Sequence, residues 1–374
     1  MTWSLKEGLR AVIEPKDILK DLGKDVIGQD HALKEMSVAI YKHLIGHSAG
    51  NVLLIGNSGT GKTTIMKAAE RFFRETKGFE KFSTIIRVNA NVVADLAARG
   101  SQTNMILDRL AQTARQALGE KATLEKMRDY VSHGIVNLDE VDKIRASVGG
   151  EPNVKGIVAQ DSLLTLLENE NVVVELPYFD NGWTSKSVPI NTQHILFVAG
   201  GAFEELYNMV YDRVTEGSGL TNLWRLIPKA DGTLERRVVF RMGDHMRFED
   251  LFRYGMTPQF IARFDGVIML HDLTAPDLIR IFTEIPGALF PIAKSFFAHN
   301  GIELKITPEA MRFIADRAAE QHRLGARALR EVFGRIIKHY EFDPRGTGEV
   351  KQTPEGEVLE ITRDAVKLAL DGEE

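Results

Sequence analysis

The sequence predicts an α/β protein. A parallel five-stranded sheet with helices on both faces is followed by a small, mainly helical C-terminal domain. Three observations carry this expectation. Short apolar runs alternate with helix-period segments as far as Leu270, the pattern of a mostly parallel sheet covered on both faces. One of these runs, Val52–Ile55, passes directly into a glycine-rich turn and then into a helical segment. From about Thr274 onward the apolar spacing is mainly helical.

Taken in order, residues 1–25 form a short amphipathic lead-in. Glu14-Pro15-Lys16 starts a helix with Ile18, Leu19 and Leu22 on one face. Val26-Ile27-Gly28-Gln29 reads as a turn before a helix bearing Leu33, Met36, Val38, Ile40 and Tyr41. Val52–Ile55 is the first strand, and Ile65–Glu70 begins the next helix. Ser83–Asn89 is β-rich and gives a second strand, whereas Thr103–Leu118 places Ile106, Leu107, Leu110, Ala114 and Leu118 at helical spacing. Ile135–Leu138 is a third strand, and a helix over Ala159–Glu168 packs Leu163, Leu164, Leu166 and Leu167. Ile195–Ala199 and Val267–Leu270 complete the sheet. Residues 145–156 and 213–250 read as long loops, which in compact domains are often functional. The expected division is a lead-in over 1–25, a large α/β domain over 26–273 and a small domain over 274–374.

The composition excludes several classes. At 374 residues, 44% hydrophobic and 26% charged, the chain is that of an ordinary globular protein able to bury a large core. The net charge of −5 supplies no global basic field for nucleic acid. The absence of cysteine excludes disulfides, thiolate metal sites and cysteine nucleophiles. The N-terminus lacks the plan of a signal peptide, and no apolar run reaches the roughly 20 residues that span a bilayer. A cytoplasmic location and no membrane partner are expected.

The strongest chemical signal is Gly56-Asn57-Ser58-Gly59-Thr60-Gly61-Lys62-Thr63. A buried strand, a glycine-rich loop and a helix start make a phosphate cradle. Gly56, Gly59 and Gly61 can take backbone angles that bulkier residues resist, so that N–H groups turn inward toward phosphate oxygens. Lys62 reaches the β- and γ-phosphates of ATP, and the Thr63 hydroxyl is placed for Mg²⁺. Ile65, in the first turn of the helix, is counted with the nucleotide-binding residues. Ahead of such a loop, the apolar turn with Ile27 and Gly28 is suited to an adenine ring.

Asp139-Glu140 closes the apolar run Gly134–Leu138. Carboxylates at the end of a buried strand are costly unless something uses them. Asp139 is expected to hold Mg²⁺, directly or through water, and Glu140 to orient and deprotonate the attacking water. The alternative is an acidic strand end followed by a salt-bridged loop with Asp142, Lys143 and Arg145.

Together, Val26–Gln29, GNSGTGKT, GIVNLDEVDKI at 134–144, HILFVAGGAF at 194–203, TPQFIARF at 257–264 and GARALREVF at 325–333 resemble the AAA+ family, and within it the ClpX group of Clp unfoldase ATPases. The resemblance spans residues 14 to 370. It implies a large α/β domain, a small helical lid domain, and a homo-oligomeric ring, usually hexameric, with ATP between neighbouring subunits. It also implies roles for two arginines. Arg263 matches the arginine finger that reaches a neighbour's ATP, and Arg327 matches the sensor-2 arginine laid on the phosphates of its own subunit. A planar, permanently charged donor suits phosphoryl transfer; for each, the alternative is a surface ion pair. The sensor-1 position falls at Ala199-Gly200-Gly201 and receives no catalytic role.

Three features depart from that group. The group's cysteine-ligated zinc domain has no counterpart in a chain without cysteine. The pore loop has Leu96-Ala97-Ala98-Arg99-Gly100-Ser101 in place of an aromatic between glycines, and so loses a broad apolar grip. The peptidase-docking loop reads Gly219-Leu220-Thr221-Asn222-Leu223-Trp224, without the Ile-Gly-Phe tripeptide. The expected function is an ATPase that unfolds or remodels a dedicated protein partner, with Trp183 and Trp224 as candidate contacts and a peptidase partnership disfavoured. The alternatives are a nucleic-acid motor or loader, suggested by Arg99, Arg145 and Lys155, and a nucleotide-gated scaffold, against which Glu140 argues.

Overall fold

The computed structural model describes residues 13–47, 50–76, 78–98, 104–168, 171–216, 223–228, 234–238, 240–321, 324–354 and 356–371. The chain forms two compact units. The first comprises the segment up to Ile18, Lys34–Gly56 and Ala69–Met269; the second comprises Leu19–Leu33, Asn57–Ala68 and the chain from Leu270.

The first unit is built on five parallel strands: β1 (Asn51–Ile55), β2 (Ile85–Asn89), β3 (Ile135–Asp139), β4 (Leu196–Gly201) and β5 (Phe264–Met269). Their order across the sheet is β5-β1-β4-β3-β2, and every neighbouring pair is parallel. Leu53, Leu54 and Ile55 are fully buried, as a strand covered on both faces requires. Helices Asn104–Leu118 and Val154–Leu167 bring Leu107, Leu110, Leu163 and Leu166 into the same core as Val136, Leu138 and Phe197. The parallel arrangement places Gly56, which follows β1, and Asp139, which ends β3, at the carboxyl ends of strands in one sheet. Open α/β sheets bind their ligands beyond that edge.

Several elements differ from expectation. Strands Asn171–Phe179 and Trp183–Asn191 form an antiparallel hairpin, so Trp183 opens a strand. Its ring lies 4.0 Å beneath the Arg115 guanidinium, a cation–π contact. The expected loop 145–156 holds a small antiparallel pair, Ser147–Val148 with Glu151–Pro152, and the first residues of the Val154–Leu167 helix. The expected loop 213–250 contains the antiparallel strands Trp224–Pro228 and Leu234–Val238, the short helix Met242–His245 and the start of the helix Phe248–Tyr254. Arg99–Ser101 and Gly219–Asn222 lie outside the described residues.

The second unit has its own core, with Phe282, Phe297, Leu304, Ile314, Phe333, Ile336 and Leu359 among its buried residues. Two of its helices begin with threonine caps and an early proline. Thr274 and Asp277 form a reciprocal capping box, and the Thr307 hydroxyl accepts from the Ala310 N–H. These caps satisfy N–H groups that the helix leaves open. The unit also contains a three-stranded sheet, Ile302–Ile306 parallel to Gly356–Ile361 and Val350–Thr353 antiparallel to it. The mainly helical expectation did not include this sheet. Among the described residues no helix is long and apolar enough to cross a membrane.

Candidate functional site

The phosphate loop, Asn57–Lys62, lies in the second unit with the first residues of the Lys62–Glu75 helix, as far as Ala68; the rest of that helix belongs to the first unit. Of the three loop glycines singled out by sequence, two use their conformational freedom. Gly59 has φ +74° and Gly61 φ +112°, whereas Gly56 does not adopt positive φ. The space where a Gly61 Cβ would stand is open, leaving room for a phosphate beside the backbone. The loop is braced internally: the Thr60 hydroxyl donates to the Asn57 carbonyl at 2.8 Å, and Lys62 Nζ donates to the same oxygen at 2.9 Å. Ser58 and Thr63 are half-buried on the loop and first helical turn. Ile65 is fully buried, so its side chain serves packing, and its N–H donates to the Gly61 carbonyl.

Two other segments of this unit hold the loop. Gln29 is 1% exposed; its amide donates to the Thr60 carbonyl at 3.0 Å and the His271 carbonyl at 2.8 Å, and its Oε1 accepts from the His271 N–H at 3.0 Å. The Val26–Gln29 turn is thereby stitched to the loop by a residue for which sequence reasoning gave no role. Ile27 beside it is buried. Gly28 has φ +76°, and a Cβ there would sit 2.8 Å from the Asp277 carboxyl carbon. The second segment is the start of the Ala326–Phe342 helix, where the Ala326 N–H donates to the Gly59 carbonyl at 3.1 Å. A Cβ on Gly325 would lie 2.7 Å from Gly59 backbone atoms. Arg327 is exposed in the first turn of this helix.

The acidic pair lies in the first unit. Glu140 is the residue after β3 and has φ 59° and ψ 38°, a left-handed conformation uncommon outside glycine. Its carboxylate accepts from the side-chain amides of Asn89 at 2.7 Å and Asn91 at 3.3 Å, and its N–H donates to the Asp139 carboxylate at 3.0 Å. Asn89 ends β2 in register with Asp139, and its Oδ1 accepts from the Asn91 N–H at 2.8 Å. Sequence reasoning missed both asparagines, because Asn89 read only as the last residue of a strand and Asn91, in the Ala90–Ala98 helix, belonged to no motif. Asp142, assigned by the alternative reading to a salt-bridged loop, is buried; it accepts from the Ala202 N–H at 3.1 Å and pairs with Lys143 at 3.3 Å. It therefore clasps the chain just beyond β4, where a Gly201 Cβ would stand 2.8 Å from its carboxylate.

Arg263, immediately before β5, pairs its guanidinium with Glu168, and its carbonyl accepts from the Asn51 amide at 2.8 Å. Within a single chain it therefore forms the ion pair that was the alternative to a finger role. Gln160 fixes the segment that precedes it. Fully buried, Gln160 donates to the Ile144 carbonyl at 2.7 Å and accepts from the Thr257 N–H at 2.9 Å. Among the described residues, no group of three or more His, Cys, Asp or Glu side chains gathers as a metal cage. The oxygens that the sequence singled out for Mg²⁺ are the Thr63 hydroxyl, in the second unit, and the Asp139 carboxylate, in the first. Hard donors of this kind suit an ion that takes much of its remaining coordination from phosphates and water.

Comparison with known proteins fits this geometry. A family model described as AAA domain (Cdc48 subfamily) matches residues 47–267. The ATP-dependent Clp protease ATP-binding subunit ClpX 3 of Methylococcus capsulatus is 30% identical over 365 residues, covering 91% of this chain and 79% of that protein. The ClpX subunits of Azotobacter vinelandii and Bacteroides fragilis are each 29% identical, over 88% and 90% of this chain and 74% and 78% of their own lengths. With the five-stranded parallel sheet and the phosphate loop, these matches establish that the chain belongs to the AAA+ family and is an ATPase of the ClpX type.

Proposed function

We propose that the protein hydrolyses ATP with Mg²⁺ in an oligomeric ring, a hexamer by analogy with the ClpX group, and uses turnover to unfold or remodel a dedicated protein partner. The observation that carries the hydrolytic part is Glu140. Its backbone is held in a strained conformation, and its carboxylate is clasped by two asparagine amides at the carboxyl edge of the sheet. A passive nucleotide switch has little use for a carboxylate fixed in this way.

In the proposed mechanism, Lys62 and the inward N–H groups of Gly59–Thr63 bind the phosphates of ATP, and Ile27 and Gly28 border the adenine. Glu140 takes the proton from a water that attacks the γ-phosphorus, and ADP departs with the bridging oxygen. Mg²⁺, held by Thr63 and Asp139, would neutralise charge on the β- and γ-phosphates. Arg327 stabilises the phosphates bound to its own chain. Arg263 exchanges its Glu168 pairing for the γ-phosphate of a neighbouring subunit, coupling cleavage to movement between copies.

The relatives are named as ATP-binding subunits of a protease. The missing Ile-Gly-Phe tripeptide supports a partner other than that peptidase. The test is capture by Glu140→Gln protein in ATP, with bound material identified by mass spectrometry before and after nuclease treatment. One protein recovered reproducibly and resistant to nuclease supports the proposal. Nuclease-sensitive capture favours a nucleic-acid motor, and a monomer that releases no phosphate refutes the ring.

A further inference from the structure

The first unit contains a polar cluster that the mechanism above does not use. Strands β2 and β3 are apolar along nearly their whole length, with Ile85, Ile86, Val88, Ile135, Val136 and Leu138 all buried. Arg87 and Asn137 interrupt them side by side, as direct register partners. Glu70, on the helix that runs on from the phosphate loop, receives both through one oxygen. Arg87 Nη2 donates to Glu70 Oε1 at 2.8 Å, and Asn137 Nδ2 donates to the same atom at 3.1 Å. Asn137 is 1% exposed.

The cluster is an inefficient way to stabilise a fold. Asn137 Oδ1 and Arg87 Nε are buried, and neither has a hydrogen-bond partner among the described residues. The Arg87 and Glu70 side chains keep 31% and 18% exposure, but the atoms without partners lie inside, and leaving buried polar atoms unsatisfied costs more than apolar side chains of similar volume. Its position suggests another use. Side chains two apart on a strand share a face, so the Arg87–Asn137 pair stands directly before the Asn89–Asp139 pair on the same face of the sheet. Asn89 is the residue that holds the Glu140 carboxylate.

We propose that Glu70, Arg87 and Asn137 are positioning residues. They tie the helical turn that bears Glu70 to the middle of β2 and β3, one same-face position before the Asn89–Asp139 pair, and so set where Asp139, Asn89 and Glu140 stand during phosphate cleavage. The inference rests on the role of Glu140 proposed above. A misplacement of about 1 Å at reacting groups can cost on the order of a hundredfold in rate. Loosening this lock lowers kcat while leaving nucleotide binding, which the loop carries, nearly intact.

The test uses the full chain with all three groups replaced by apolar residues of similar size, Glu70→Leu with Arg87→Met and Asn137→Leu. Thermal unfolding, assembly in ATP, KM and kcat are compared with the unaltered protein. The expected result is an unfolding temperature equal or higher, unchanged assembly, KM within about threefold and kcat reduced at least tenfold. A second comparison separates geometry from packing. Glu70→Gln keeps an acceptor oxygen for both donors and should retain most of the kcat that Glu70→Leu loses. Unchanged kcat in the triple variant, or a triple variant that fails to fold, overturns the proposal, as does equal loss in Glu70→Gln and Glu70→Leu. Glu140→Gln in the otherwise unaltered chain is the reference. If it still hydrolyses ATP, the base assignment itself is wrong; if it is inactive and the triple variant is not, only the positioning role is refuted.

Discussion

Replacing Gly325 by alanine tests the seating of the Ala326–Phe342 helix on the phosphate loop. Gly325 has φ +50° and ψ −132°, a combination that side chains strongly resist, costing about 1–3 kcal/mol. The new Cβ would also meet backbone atoms, Gly59 at 2.7 Å and the Ser58 carbonyl at 3.0 Å, and backbone cannot swing aside as a flexible side chain can. The simplest relief lifts the first helical turn away and breaks the bond from the Ala326 N–H to the Gly59 carbonyl, worth about 1 kcal/mol. The seated state alone bears the strain, so the seating equilibrium shifts by about 1–3 kcal/mol, or between about fivefold and 150-fold. If the loop binds nucleotide only with the helix seated, apparent ATP affinity falls by up to that factor. Titration with a fluorescent ATP analogue measures the change, and thermal unfolding measures the accompanying loss of stability. The control is Gly334→Ala in the same helix, where a Cβ meets nothing within 4 Å. Removing a mid-helix glycine should leave affinity unchanged and stabilise by about 0.5–1 kcal/mol. Wild-type affinity and melting in Gly325→Ala would refute the reasoning.

Other outcomes follow from the same geometry. Lys62→Ala should weaken ATP binding in equilibrium titration; unchanged affinity removes the phosphate-loop assignment. Glu140→Gln should bind ATP but lose roughly 10²–10⁴-fold in steady-state turnover, the usual contribution of a positioned acid–base group, and full turnover there would refute its role as base. Arg263→Ala should retain binding and lose turnover, and mixing it with Glu140→Gln subunits should restore some hydrolysis if an arginine acts across the interface. Normal hydrolysis by Arg263→Ala at all protein concentrations would remove the main support for a shared site. Burial, reinforced by nearby His133, lowers the His43 pKa to about 3 from the ordinary 6.5. Below pH 6.5 the unfolded chain therefore takes up a proton that the folded chain refuses. This contribution to stability is complete above pH 6.5 and is lost as the pH falls toward 3. At pH 5 the loss is about 2 kcal/mol. His43→Gln should melt with a shallower pH dependence between 6.5 and 4, and an unchanged slope would show that His43 titrates normally.

The core sheet was legible in sequence because its strands are short apolar runs in a context of alternating helices. Fully buried parallel strands need little else, as Leu53-Leu54-Ile55 shows. The hairpin Asn171–Phe179 with Trp183–Asn191 was not legible. Its first strand carries three consecutive valines, 172–174, that hide the inward alternation of Val174 and Leu176, and its second is mostly polar and exposed with a proline at 189. The small sheet in the second unit did carry a signal, since Ile302, Leu304 and Ile306 alternate with charged residues, but a five-residue strand between long helices is easily absorbed into a helical reading.

The candidate site divides along a different line. Phosphate chemistry dictates residue types at fixed spacing, and GNSGTGKT is therefore readable wherever it occurs. What places those residues is set by partners distant in sequence. Gln29 reaches the His271 backbone, Asn89 reaches Glu140, and Gly59 accepts from Ala326. None of these pairings follows from spacing, because a glutamine or asparagine has many surface uses and only one of them is to hold a particular carbonyl or carboxylate. The same logic explains why the phosphate-binding motif is so readable. The triphosphate is one fixed shape, so its cradle admits few residue types.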